Sequence, residues 1–328
     1  MERTPARYRA AVKVVIADAD TFMGQGLRNA LTSEGYQDVR AVARCFALRD
    51  VMLATMADLL VLDADLPDGD AIAFVREVRH GRIGRNPFLP IILVTWANDP
   101  AAVQRAVNSG VDLILVKPLS AAQLFSRIDA LVADRKPFVV TAEYMGPDRR
   151  GRDMEADAQL YDVPNTLKDK IEGRTVDPAT LSDQINEALR EMNRSRLAQA
   201  GLKLAGMVDG ICRAFAARHV SDDVADDLGQ VGRIARSIAG LGGADIGKLC
   251  KSLIKIVQSL NGDLGAADPK QIELMRPLSR SILLAANPKL AQRPVIDEID
   301  RTLSAFVPKK RPEAPEDAED DVPAANVG

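Results

Sequence analysis

Over its first 135 residues the chain alternates short apolar runs, rich in β-branched residues, with stretches whose apolar side chains fall three or four apart. The runs are residues 12–17, 39–43, 59–62, 91–95 and 113–116. Between them, Met23, Leu27 and Leu31, and again Leu124, Ile128 and Leu131, share one face of a helix. A short continuous apolar run suits a strand buried on both faces, and the intervening helices supply the cover. Five such units predict a doubly wound α/β domain over residues 11–134, built on a five-stranded parallel sheet. Its functional crevice should lie outside the carboxyl ends of the strands.

From residue 135 to about 177 the alternation stops. Pro137, Gly146, Pro147, Gly151, Pro164 and Gly173 punctuate the segment. It is expected to be a linker with one short helix at 165–171. Beyond it, helical spacing recurs at 181–192, 197–215, 224–241, 246–260, 272–284 and 296–306. These predict an all-α helical bundle over 178–307, an output or interaction domain. Pro277 should kink or split the fifth helix. Gly201, Gly206 and Gly210, each costing about 1 kcal/mol against Ala in a helix, are expected at close helix contacts. The tail, 308–328, is rich in Pro, Ala and acids and is expected to be disordered.

A chain of 328 residues has room for two ordinary domains. Its net charge of -3 argues against a binder of nucleic acid along its whole length. No apolar run approaches the roughly 18 residues of a membrane span, and residues 1–9 are too polar for a signal-peptide core. Three widely spaced cysteines, Cys45, Cys212 and Cys250, suit buried thiols in a reducing cytoplasm.

The polar residues at the strand ends carry the chemistry. The first strand ends in Asp18 and Asp20, the third in Asp63, the fourth in Thr95 and the fifth in Lys117 and Pro118. Carboxylates, a hydroxyl and a lysine therefore gather on one rim of the sheet. Grouped carboxylates suit a hard cation such as Mg²⁺. The metal and Lys117 can neutralise phosphoryl charge while an Asp attacks as nucleophile, and Thr95 can hydrogen-bond the product. An acyl phosphate adds charge to a packed site and can move a bistable loop or helix.

Residues Val14, Val15, Ile16, Ala17 and Asp18, the turn Leu62, Asp63, Leu66, Pro67 and Gly69, then Thr95, then Val116, Lys117 and Pro118, resemble the receiver domains of two-component response regulators. The 45 residues from Asp18 to Asp63 also fit. The resemblance implies that Asp63 is the phospho-acceptor, Thr95 the switch hydroxyl and Lys117 the phosphate-binding lysine. It implies Mg²⁺ held by Asp18, Asp63 and the backbone carbonyl of Asp65. It also implies a cis bond before Pro118, and a histidine kinase or histidine phosphotransfer protein as phosphate donor.

Three positions depart from that pattern. Ala19 stands where receivers carry a second acid, leaving Asp20 as the candidate substitute. Trp96 follows the switch threonine, where a small residue is usual. It reads as a packing or partner-contact residue, or as a lid. Ile114 occupies the strand-five position where an aromatic usually couples to the threonine. Asp65, Asp68 and Asp70 read as turn residues and caps for the helix that starts near Ala71. Cys45 reads as a small buried hydrophobe.

In the helical half, residues 234–243 distantly resemble a histidine phosphotransfer bundle. Only Ala235 and Gly240 match, and Arg236 stands in place of the histidine. Arg236 then reads as an exposed helix residue or a charged docking site. His219 and His80 lie in the wrong contexts to replace it. No nucleophilic triad, Gly-rich phosphate loop or zinc spacing occurs there, so an enzymatic output is not expected. Arg149, Arg150 and Arg152 read as a solvated linker rather than a nucleic-acid site. The helix spanning 181–215 could pair with a second copy to form a homodimer, although its apolar phase slips near residues 193–195. The expected function is therefore a response regulator phosphorylated on Asp63 and signalling through protein contacts of the bundle. The alternatives are a phosphorylation-independent scaffold and a DNA-binding output.

Overall fold

The computed structural model describes residues 6–96, 100–149, 159–218, 222–260 and 268–291. A short helix, α1 (Ala6–Arg9), precedes five β/α units. These are β1 (Lys13–Ala17), α2 (Thr21–Ser33), β2 (Asp38–Val42), α3 (Cys45–Ala54), β3 (Leu59–Asp63), α4 (Ala71–Arg79), β4 (Ile91–Thr95), α5 (Pro100–Val107), β5 (Leu113–Val116) and α6 (Ala121–Ala133). All pairings in this sheet are parallel, in the order β2-β1-β3-β4-β5. The winding reverses between β1 and β3, where a sheet of this order leaves its crevice.

Every residue of β3 and β4 is buried, so both read as unbroken apolar runs. Alternate side chains feed two cores. Val15, Leu60, Leu62 and Leu93 pack with α3 and α4 on one face. Val14, Ile16, Val61 and Ile92 pack with α2 and α6 on the other. The helices start on side-chain caps: Asp20 for α2, Asp70 for α4, and a Ser120/Gln123 capping box for α6.

Residues 135–177 are not a free linker where they are described. β6 (Phe138–Val140) and β7 (Met145–Pro147) form an antiparallel hairpin, and α7 (Thr166–Ile171) follows, capped by Asn165. The hairpin is too short and too interrupted by Gly146 and Pro147 to show a period. A buried charge network holds the region instead. Arg79 of α4 is fully buried, its Nη2 2.8 Å from Asp112 Oδ2. Arg135 Nε donates to Asp112 Oδ1 at 2.7 Å, and the Ile91 amide donates to Oδ2 at 2.8 Å. Both guanidiniums lie over the Phe138 ring, at 5.2 and 5.0 Å. Burial pulls the Arg79 pKa down to about 10, against the pull of Asp112. The hairpin also needs Gly110: a Cβ there would come within 2.5 Å of the Met145 carbonyl. Arg149 is not a solvated linker residue either. Its Nη2 donates to the carbonyls of Val111 and Asp112. Arg150 and Arg152 lie outside the described residues.

The helical region comprises α8 (Pro178–Ala216), α9 (Asp222–Ala239), α10 (Gly243–Leu260), α11 (Pro269–Ala286) and the short α12 (Pro288–Ala291). α8 and α10 each pack against both α9 and α11, which closes a four-helix ring around one apolar core. Residues 181–192 and 197–215 belong to a single helix of 39 residues, about 58 Å long. Its phase slip has a physical cause, because the helix changes partners there. Ile185 and Met192 pack with Phe88, Phe138, Val140 and Tyr161 beside the hairpin. Leu204, Val208 and Ile211 enter the bundle core. Gly201 permits close approach, with Ala286 Cβ 3.1 Å from where its own Cβ would be, whereas Gly210 faces open space. α11 continues through Pro277 without splitting. The expected helix at 296–306 and the tail lie outside the described residues.

All of these attachments reach the same end of the sheet. Phe88 and Asp112 precede β4 and β5, while Asp58, which pairs with Lys170 of α7 at 2.6 Å, precedes β3. The hairpin, α7 and α8 therefore dock at the amino ends of the strands, opposite the carboxyl-end crevice. Asp112→Asn should cost about 3–5 kcal/mol, because it strands two buried guanidiniums. Denaturant unfolding of the full chain would check this; a loss below 1 kcal/mol would contradict the network's role.

Candidate functional site

The crevice forms because four buried polar residues close adjacent strands. Asp18 follows β1, Asp63 ends β3, Thr95 ends β4 and Lys117 follows β5, and each is buried. Lys117 Nζ lies 2.9 Å from Asp63 Oδ2 and 3.4 Å from Asp18 Oδ1. The Lys117–Pro118 peptide is cis. Backbone amides complete the carboxylates: Ala19 donates to Asp63 Oδ2, Asp65 to Asp63 Oδ1, and Asp20 to Asp18 Oδ1.

The electrostatics follow from crowding. Burial raises the Asp18 pKa above the ordinary carboxylate value, and the neighbouring Asp63 charge adds to it, while the Asp20 amide and Lys117 oppose it. Burial disfavours the Lys117 ammonium, but its bond to Asp63 and the charges of both carboxylates outweigh that and raise its pKa. The lysine thus serves as counter-ion to two acids that would otherwise repel one another.

Thr95 faces the same crevice, and among the described residues its Oγ1 makes one bond, 3.4 Å, to the Trp96 carbonyl. Trp96 is 53% exposed, and Lys117 Nζ lies 6.0 Å from its ring centroid. The indole therefore borders the site. Ile114 is partly buried against the core that contains α3 and α4. Asp20 is exposed, and its Oδ1 accepts from the amides of Phe22 and Met23 as the cap of α2. Asp70 caps α4 in the same way, and Asp68 accepts from the Cys45 amide and Arg44. The Asp65 side chain is exposed.

Two buried carboxylates and a loop carbonyl make a sparse oxygen set. No group of three acidic, imidazole or thiol side chains converges as a metal cluster among the described residues. Mg²⁺ commonly keeps several waters and takes only one or two carboxylates, so Asp18 and Asp63 fit a largely hydrated ion.

The sequence model for the response regulator receiver domain matches residues 14–129. Residues 14–129 are a receiver domain. Among curated proteins, this chain is similar to the transcriptional regulatory protein GltR of Pseudomonas aeruginosa, 33% identical over 120 residues. That match covers 36% of this chain and 48% of GltR. It is also similar to the response regulator MprA of Mycobacterium tuberculosis, 28% identical over 187 residues, covering 57% of this chain and 77% of MprA. The chain spans about half the length of GltR and of the Pseudomonas aeruginosa response regulator PmrA. Among solved structures, a two-component response regulator from Clostridium difficile shares 27% identity over 38% of this chain and 97% of its own, with a TM-score of 0.34.

Outside the receiver domain, Arg236 is exposed on α9 and Ala235 is in the bundle core. His219 lies outside the described residues. His80, which its sequence context did not mark, caps α4 and meets Arg196 of α8 at 3.1 Å. No local pattern signals that contact, since the two residues lie 116 positions apart.

Asp20→Ala should lower stability by about 1 kcal/mol through the lost cap and leave Mg²⁺ affinity unchanged. Asp18→Asn should abolish Mg²⁺ binding. Titration followed by Trp96 fluorescence checks both, and Mg²⁺ affinity lost in Asp20→Ala would make Asp20 a ligand.

Proposed function

We propose that this chain is a two-component response regulator whose receiver domain accepts a phosphoryl group on Asp63. The observation that carries the reading is the Lys117 ammonium held between Asp63 and Asp18 in a buried crevice. The donor would be a phosphohistidine on a kinase or phosphotransfer protein. An Asp63 oxygen attacks the phosphorus, the N–P bond breaks and the imidazole leaves. Lys117 balances charge on the incoming phosphoryl oxygens, and Thr95, whose bond to the Trp96 carbonyl is long, is available to donate to the product. Mg²⁺, held by Asp18, Asp63 and the Asp65 carbonyl, would supply further charge neutralisation when bound.

The readout is assigned to protein contacts of the helical bundle rather than to an enzymatic output. α4 connects the two ends of the receiver: it begins at Ala71, in the loop that follows Asp63, and ends at His80, against α8. The setting is proposed to be the cytoplasm, which suits the free buried thiols Cys45, Cys212 and Cys250. Among the described residues no helix is long and apolar enough to cross a membrane.

A scaffold that never turns over phosphate is the second reading. Ala19 in the second-acid position and the capping role of Asp20 favour it. Beryllium fluoride, a mimic of the aspartyl phosphate, separates the two. With Mg²⁺ present it should change Trp96 fluorescence saturably in the wild type and not in Asp63→Asn. No change in the wild type would favour the scaffold.

A further inference from the structure

Where the receiver meets the bundle, a buried arginine has no anionic partner among the described residues. Arg196 of α8 is only 5% exposed. Its Nη1 contacts His80 Nδ1 at 3.1 Å, its Nη2 donates to Ser237 Oγ of α9 at 2.7 Å, and its Nε is buried with no hydrogen-bond partner. Neither partner is a carboxylate. A guanidinium removed from water without a counter-ion is costly, so buried arginines are normally paired.

The groups around it make the imbalance larger. Burial lowers the Arg196 pKa, and the charge of Arg82 lowers it further. Burial and the charges of Arg196, Arg82 and Arg76 pull the His80 pKa down to about 4. Arg76, in the last turn of α4, and Arg82, just beyond it, are both exposed, and neither makes a salt bridge among the described residues. The carbonyl end of α4 offers only about half a negative charge. Three guanidiniums and an imidazole thus gather at one junction, and among the described residues no acidic side chain pairs with Arg76, Arg82 or Arg196.

We propose that this junction binds a tetrahedral oxyanion, the phosphate group of a small soluble ligand, through Arg76, Arg82, Arg196, His80 and Ser237. Forked guanidinium donors match such an anion in charge and geometry. Because Arg196 is a donor only, His80 Nδ1 accepts from it and the Nε2–H remains to donate. Ser237 Oγ accepts from Arg196, which leaves its own proton free. Occupancy ties α4 of the receiver to α8 and α9 of the bundle. The site is separate from Asp63, and the inference does not depend on phosphorylation there.

The test is calorimetric titration of the full chain with sodium sulfate and with sodium phosphate, the ionic strength held constant with chloride. Sulfate keeps its charge between pH 7 and 5.5, so a pH effect with it reports on the protein. The expected result is saturable single-site binding that changes little between pH 7 and 5.5, because His80, its pKa pulled down to about 4, stays neutral and keeps Nδ1 as acceptor for Arg196. Arg82→Gln and Arg76→Gln, both at exposed positions, should each weaken it about tenfold. Arg82→Gln should retain the beryllium fluoride response at Trp96. No saturable heat beyond that of chloride would overturn the proposal, as would binding as tight as the wild type's in both variants. Tighter binding of a short single-stranded oligonucleotide than of phosphate would overturn the small-ligand assignment.

Discussion

A single ammonium reconciles two carboxylates that the sheet forces together. β1 and β3 are hydrogen-bonded neighbours, so Asp18 and Asp63 reach the same crevice when each strand ends. Both are buried, and two bare carboxylates in that setting would repel one another. Lys117, arriving from β5, makes 2.9 and 3.4 Å contacts to them and places a positive charge between the pair. An ionised, partly desolvated carboxylate beside a fixed positive charge is what attack on phosphorus requires. The parallel order of the strands therefore has a chemical consequence: it delivers acid, hydroxyl and lysine to one rim.

The opposite rim carries a second charge node with a structural role. Asp112 holds Arg79, Arg135 and the Ile91 amide, and through Phe138 this node anchors the hairpin against which α8 packs. Arg79 lies on α4, the helix whose amino end opens at the loop after Asp63. The bundle is thereby attached to the receiver at the end farthest from the chemistry, with α4 spanning the distance. Phe22, Phe46 and Trp96 are exposed and belong to segments at the carboxyl end of the sheet, so the described part of the helical region does not cover them.

Much of this was legible in the sequence. The five strands declared themselves because each is buried on both faces, which turns a strand into a short unbroken apolar run. Asp18, Asp63, Thr95 and Lys117 could be placed at one rim because parallel strands bring their carboxyl ends together. The hairpin could not be seen, since its three-residue strands are stabilised by arginines from elsewhere rather than by local pattern. Arg149, read as solvated, donates to two backbone carbonyls for the same reason. The slip in α8 was visible as a defect of phase. Only the structure supplies its cause, a helix that faces the receiver along one stretch and the bundle core along the next. Asp20 shows how ambiguous a carboxylate can be after a strand: the residue type that could replace a missing ligand is also a preferred helix cap.

The measurement that tests the central claim most directly is the intact mass of the full chain after incubation with acetyl phosphate and Mg²⁺. The structure predicts a gain of one phosphoryl group, located to the peptide containing Asp63 and absent when Lys117 is replaced by alanine. A mass that does not change, in a folded protein, would contradict the claim that this crevice accepts phosphate.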